Sequence, residues 1–137
     1  MPAAFAEVIN AFEALPDRRS KLEYLIELGE ALECDDSIAV PENRIEGCVS
    51  TVYLSGTMVE GMIRFTGWAD SLIVRGFVKV LCDALSDMPP ATIVHESESV
   101  VDEFVKRTGI NFSMVESRAN TFGNLFARMR RIAEVSV

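Results

Sequence analysis

The sequence predicts an α+β fold in which helices surround one small antiparallel sheet. Two observations carry that expectation. Apolar residues recur at helical spacing in both halves of the chain, and a single stretch between residues 49 and 67 changes to β-branched and aromatic chemistry with a period of two. The 137 residues, 49% of them hydrophobic, suit one domain over 1–137 that buries about two-thirds of its unfolded surface. No internal repeat or low-complexity tract divides it.

Phe5, Val8, Ile9, Phe12 and Leu15 form the apolar stripe of a first helix, which Pro16 stops. Leu22, Leu25, Ile26 and Leu32 share a face of a second, with Ser20 and Glu23 offering a capping box. "ECDDSIAVPENRIEG" (33–47) contains Asp, Pro and Asn without periodicity and reads as a loop. "VSTVYLS" and "EGMIRFTG" form a hairpin, joined at Gly56 and Thr57. Within it, Ile63 and Phe65 alternate with Met62, Arg64 and Thr66, as in a sheet with one buried face.

Over 70–85 the helical period returns with Ile73, Phe77, Val80, Leu81 and Ala84, and Asp70 stands where it can cap the helix or face its dipole. "MPP" (88–90) then breaks the chain. A short turn or helix at 91–94 and a separate helix at 100–108 follow, the latter ended by Gly109. The last helix, 117–133, presents Phe122, Leu125, Phe126, Met129 and Ile132.

Charge narrows the partners. Thirteen basic against twenty-one acidic residues leave a net charge of −8. That balance opposes nucleic acid or an anionic membrane as the main partner, because phosphate affinity rests on Lys and Arg. A basic face on another protein is favoured instead. The first residues carry no basic leader, and no segment reaches the roughly 18 unbroken apolar residues of a membrane span. The expectation is a soluble cytoplasmic protein.

Cys34, Cys48 and Cys82 are widely spaced, odd in number and without a C-x-x-C pair, so a structural zinc site has little support. In a reducing compartment they are free thiols. The single histidine, His95, cannot build a multi-histidine metal site. A lone cysteine is commonly a small buried hydrophobe. Cys34 fits that description, since Asp35 and Asp36 disfavour its thiolate. Cys82 lies off the apolar stripe near Arg75 and Lys79, cations expected to lower its pKa, but a mid-helix backbone cannot move a thiol toward a partner. It reads as structural.

Cys48 differs. Gly47 permits a tight loop tip, the following strand anchors one side of it, and Arg44 is close in sequence. Those features alone leave an ordinary turn and a working thiol both open. A Cys–His pair would need His95 to come round in the fold. Sulfur acceptance needs less apparatus: a thiolate attacks the terminal sulfur of a persulfide and becomes Cys–S–SH.

Four segments then carry a likeness: "LEYLIELGEAL" (22–32), "NRIEGCVSTVYL" (43–54), "GWADSLIVRGFVKVL" (67–81) and "SRANTFGNLFARMRRI" (117–132). The second is the most specific, with N, three residues, then G-C-x-S. On these residues the chain resembles the SufE family, sulfur acceptors that work with cysteine desulfurases in iron–sulfur cluster assembly. The resemblance implies a SufE/IscU-like α+β fold with a three-stranded antiparallel sheet flanked by helices. It implies Cys48 as the persulfide carrier, packed inward until a desulfurase docks, with Asp70 and Arg118 as polar residues around that loop.

Arg118 and Arg44 would favour the thiolate or persulfide anion. The implied partners are a SufS-like cysteine desulfurase, which holds the PLP, and a SufBCD-like scaffold complex. This chain needs no cofactor or metal of its own and is expected as a monomer or homodimer. It departs from the family pattern at Thr121, where glycine is usual, at Leu125 for methionine, and at Val115 and Glu116 for Thr-Pro. The rivals are an iron–sulfur scaffold of the related fold, which needs Cys34, Cys48 and Cys82 to converge, and an interaction domain with inert cysteines. A cysteine hydrolase is the weakest.

Overall fold

The computed structural model describes residues 1–33, 35–45, 51–110 and 120–136. Helix α1, Ala3–Ala14, buries Phe5, Val8, Ile9 and Phe12 on one face. Helix α2 spans Arg18–Glu30, and its cap is Asp17, whose carboxylate accepts the Ser20 N–H at 2.8 Å. The capping box expected from Ser20 and Glu23 is therefore absent: Ser20 lies inside the first turn, and Glu23 pairs with Arg19 at 3.3 Å. The carboxylate wins because it accepts a backbone donor while placing negative charge at the positive end of the helix. Hydrogen bonds from Ser20, first its backbone N–H, hold the Asp17 carboxyl below its ordinary pKa.

The stretch read as a plain loop contains two 3-10 turns, Asp36–Ile38 and Pro41–Asn43. Asp35 caps the first by accepting from Ser37 N–H at 3.0 Å, and Ile38 is buried. Strands β1 (Val52–Val59) and β2 (Met62–Ala69) pair antiparallel along their full length. The hairpin turns at Glu60 and Gly61, with φ of 52° and 83°, the positive pair a tight two-residue connection needs. Gly56 and Thr57, expected at the turn, are ladder residues opposite Phe65 and Arg64. Gly56 is there for space, because a Cβ would lie 2.7 Å from the Ile132 side chain.

The expected three-stranded sheet has two strands among the described residues. Pro41 has no N–H to give and the 3-10 turn runs to Asn43, so the preceding chain contributes only an isolated bridge, Arg44 to Tyr53. Helix α3, Leu72–Leu85, is capped by Ser71, which accepts from Val74 N–H at 3.4 Å. Asp70 stands one residue before that cap and does not supply it. Helix α4 is continuous over Pro90–Thr108, replacing the two pieces expected at 91–94 and 100–108. The helix runs on through the polar residues between those pieces, and the buried Ser97 hydroxyl is satisfied by donating to the Ile93 carbonyl. Gly109, at φ 65°, ends the helix as expected.

Helix α5 spans Thr121–Ser136. It starts later than the expected residue 117, because Asn120 accepts the Gly123 N–H at 2.9 Å as its cap. Thr121 and Leu125, two of the departures from the family pattern, are both buried in this helix.

The core lies between the sheet's buried face and the helices, with α3 at its centre. Helices α2 and α3 meet through bare backbone. A Cβ on Gly29 would strike the Leu72 carbonyl, and one on Gly76 the Leu25 carbonyl. Gly76→Ala is therefore expected to cost about 2 kcal/mol of unfolding free energy, because a backbone carbonyl cannot turn aside. A lower urea midpoint with an unchanged slope would register it.

Candidate functional site

Cys48 and Arg118 lie outside the described residues, as do Cys34, Val115 and Glu116. What the structure defines is the frame that holds the Cys48 stretch at both ends. On the leading side, Ile45 is buried in the core and its N–H donates to the Val52 carbonyl at 2.9 Å. On the far side, the Thr51 carbonyl accepts from Asp70 N–H at 3.1 Å. Residues 46–50 thus connect two points fastened to the same hairpin.

Asp70 is exposed and joins this frame through its backbone, at the point where β2 gives way to α3. Next to it, the Arg75 guanidinium lies 3.8 Å from the Trp68 ring centre and donates to the Ala69 carbonyl. Cation–π contact and hydrogen bond together fix the end of β2 against α3. Arg44 is exposed, with its backbone in the bridge to Tyr53. His95 is exposed on α4.

A residue not singled out from the sequence completes the frame. Arg128, on α5, donates to the Arg44 carbonyl at 3.4 Å and to the Glu42 carbonyl. One guanidinium thereby holds the turn leading toward Cys48 onto the last helix. Sequence spacing gave no sign of it, because a cation on the outer flank of an amphipathic helix usually reads as solvated. Its partners are backbone atoms 84 and 86 residues away.

Cys82 is 7% exposed on α3. Its pKa is pushed up from 9.0 to about 12, mainly by burial and also by the Asp83 carboxylate, with Lys79 opposing the shift. This overturns the expected lowering by Arg75 and Lys79. Arg75 is engaged at Trp68 and Ala69, and Lys79 is paired with Asp83 at 3.0 Å. The result is an inert thiol, in keeping with its structural reading. Among the described residues, no three His, Cys, Asp or Glu side chains gather as a metal site. Nor is any described helix long and apolar enough to cross a membrane.

The family model for SufE, described as an Fe-S metabolism associated domain, matches residues 6–133. The chain belongs to the SufE family. An uncharacterized SufE-like protein of Synechocystis is 30% identical over 131 residues, covering 95% of this chain and 80% of that one. A protein of Plasmodium vivax named cysteine desulfuration protein SufE is 34% identical over 129 residues, covering 90% of this chain and 50% of that protein. The solution structure of a hypothetical protein from Thermus thermophilus superposes with a TM-score of 0.76 over 99% of this chain and 97% of that one. At 15% identity, the superposition shows a shared fold.

The geometry of this SufE-family domain has two measurable consequences. Arg128→Ala is expected to speed amide exchange at Asn43 and Arg44 about fivefold, the equivalent of about 1 kcal/mol for the lost hydrogen bonds, while Ile63 and Phe65 stay protected. Cys82 is expected to make stability fall as pH rises from 9 toward 12, since only the unfolded thiol ionises in that window. Below it, the contribution is constant. Urea midpoints at about pH 8 and about pH 10.5 should therefore fall further apart for the wild type than for Cys82→Ala.

Proposed function

We propose that this chain accepts sulfur on Cys48 from a PLP-dependent cysteine desulfurase, stimulates that enzyme, and delivers the sulfur to an iron–sulfur assembly scaffold of the SufBCD kind. The observation that carries the reading is the fastening of both ends of the Cys48 stretch, Ile45 to Val52 and Thr51 to Asp70. It fastens the described residues on either side of the G-C-x-S motif of a SufE-family chain, and working groups are commonly carried between structured elements. The protein named cysteine desulfuration protein SufE in Plasmodium vivax supports the same chemistry.

In the transfer, the Cys48 thiolate attacks the outer sulfur of the desulfurase persulfide. A new S–S bond forms at Cys48, the old S–S bond breaks, and the desulfurase cysteine leaves as a thiolate. The exchange is neutral in electrons and needs no metal. PLP remains with the desulfurase, where the sulfur is first cut from cysteine. Arg118 and Arg44 would stabilise the anionic thiolate or persulfide, and Asp70 serves through its backbone hold on Thr51. A reducing compartment such as the cytoplasm suits a carrier that must keep its thiol free.

The scaffold alternative needs Cys82 as a thiolate ligand beside Cys34 and Cys48. Burial and a pKa of about 12 oppose that use of Cys82. A domain with inert thiols differs in outcome from a carrier. With desulfurase and cysteine supplied, intact-mass analysis should show one added sulfur atom on the wild type and none on Cys48→Ser. The variant should also return the desulfurase to its unassisted rate. Normal stimulation by Cys48→Ser would defeat the assignment.

A further inference from the structure

A surface groove of about 820 Å³ runs along α5 where the helix passes the chain leading to Cys48. Its apolar lining includes Ile45, Ile132 and Val135, and Arg128 and Arg131 supply its cations. Val135 is 76% exposed, the most uncovered large apolar side chain described. Arg128 is held by the Glu42 and Arg44 carbonyls, which cancel none of its formal charge. Arg131 is exposed and forms no ion pair among the described residues. Arg130, on the neighbouring face, is by contrast taken up by Glu98 at 3.0 Å and Glu134 at 3.8 Å.

The chain as a whole carries −8, yet α5 holds three arginines against one glutamate. A positive groove inside a negative protein orients an approaching partner, because the local field decides which surface it meets. We propose that this groove seats an acidic, apolar segment of the cysteine desulfurase, with carboxylates on Arg131 and Arg128 and a hydrophobic side chain against Val135 and Ile132. The proposal rests on the sulfur-acceptor reading. Ile45, which lines the groove, precedes Cys48 by three residues, so the groove lies within about 11 Å of extended chain of the residue that must be reached. A second copy of this chain is the poorer fit, since two bodies of net charge −8 repel.

The test is equilibrium binding of the desulfurase of the same organism, its own reactive cysteine alkylated so that no sulfur moves. Arg131→Glu and, separately, Val135→Glu should weaken binding about tenfold or more, with Arg131→Lys within about twofold of the wild type. Wild-type affinity should also fall more steeply with salt than that of Arg131→Glu. Both positions are exposed, and an unchanged melting temperature confirms that the variants fold. Equal binding by Arg131→Glu overturns the proposal. So does tighter binding, which would mean that the acidic surface makes the contact. No wild-type binding, or an effect on self-association alone, also overturns it. Sulfur mass on Cys48, measured with the active desulfurase, separates the two readings. Arg131-dependent binding without added sulfur sinks the carrier and leaves the groove; added sulfur with binding indifferent to Arg131 does the reverse.

Discussion

Four phenylalanine rings, each from a different helix, tie the first and last parts of the chain into one body. Phe5 of α1 stacks on Phe104 of α4 at 4.4 Å between ring centres, and Phe104 stacks on Phe122 of α5 at 5.6 Å. Phe77 of α3 meets Phe122 edge-on, also at 5.6 Å. All four are fully buried. Such pairs contribute roughly 0.5–1.5 kcal/mol each beyond the area they remove from water. Their larger effect is on orientation. With Phe122, Leu125, Met129 and Ala133 turned inward, the pitch of the helix leaves Arg128 and Arg131 no choice of side. The rotation of α5 about its axis is thus set in the core and felt at the surface.

That rotation brings two distant stretches of sequence together. Residues 41–45 would otherwise be a short turn on the outside of the sheet, with their carbonyls facing water. Arg128 gathers two of these carbonyls, while Ile45 drops into the core beside them. Asp70 and Thr51 make the matching attachment on the other side of the hairpin. A hydrophobic anchor and a charged fork do different jobs here. Burial of Ile45 supplies affinity without direction, and the hydrogen bonds supply direction at modest energy. Both anchors draw their own positions from the packing of the whole domain.

The helices with a clear apolar stripe, α1 and α3, were legible because burial on one face imposes a period that few other structures share. The hairpin's existence was legible for the same reason, but its turn was not. Gly56 resembled a turn glycine, whereas its role is to admit Ile132 of a helix some seventy residues on. Glu60 carries no mark of the left-handed conformation it adopts. The sequence reads as two pieces where α4 is one helix, and the Ile93 carbonyl shows how the buried Ser97 is accommodated within it. At the site, the motif around Cys48 could be read directly from residue order. Arg128 could not, since its meaning lies in which carbonyls the fold brings within its reach.

The outer rim of β2 has a further consequence. Ile63 is engaged through both its N–H, to the Met88 carbonyl at 2.9 Å, and its C=O, to Asp87 N–H at 2.7 Å. Phe65 N–H is taken by the Ser86 hydroxyl at 3.0 Å, and Arg64 reaches Asp87 at 3.3 Å. The link between α3 and α4 therefore occupies the backbone positions that an incoming extended peptide would use to enlarge the sheet. Strand addition is thereby blocked at the start of that margin, from Ile63 to the Phe65 N–H.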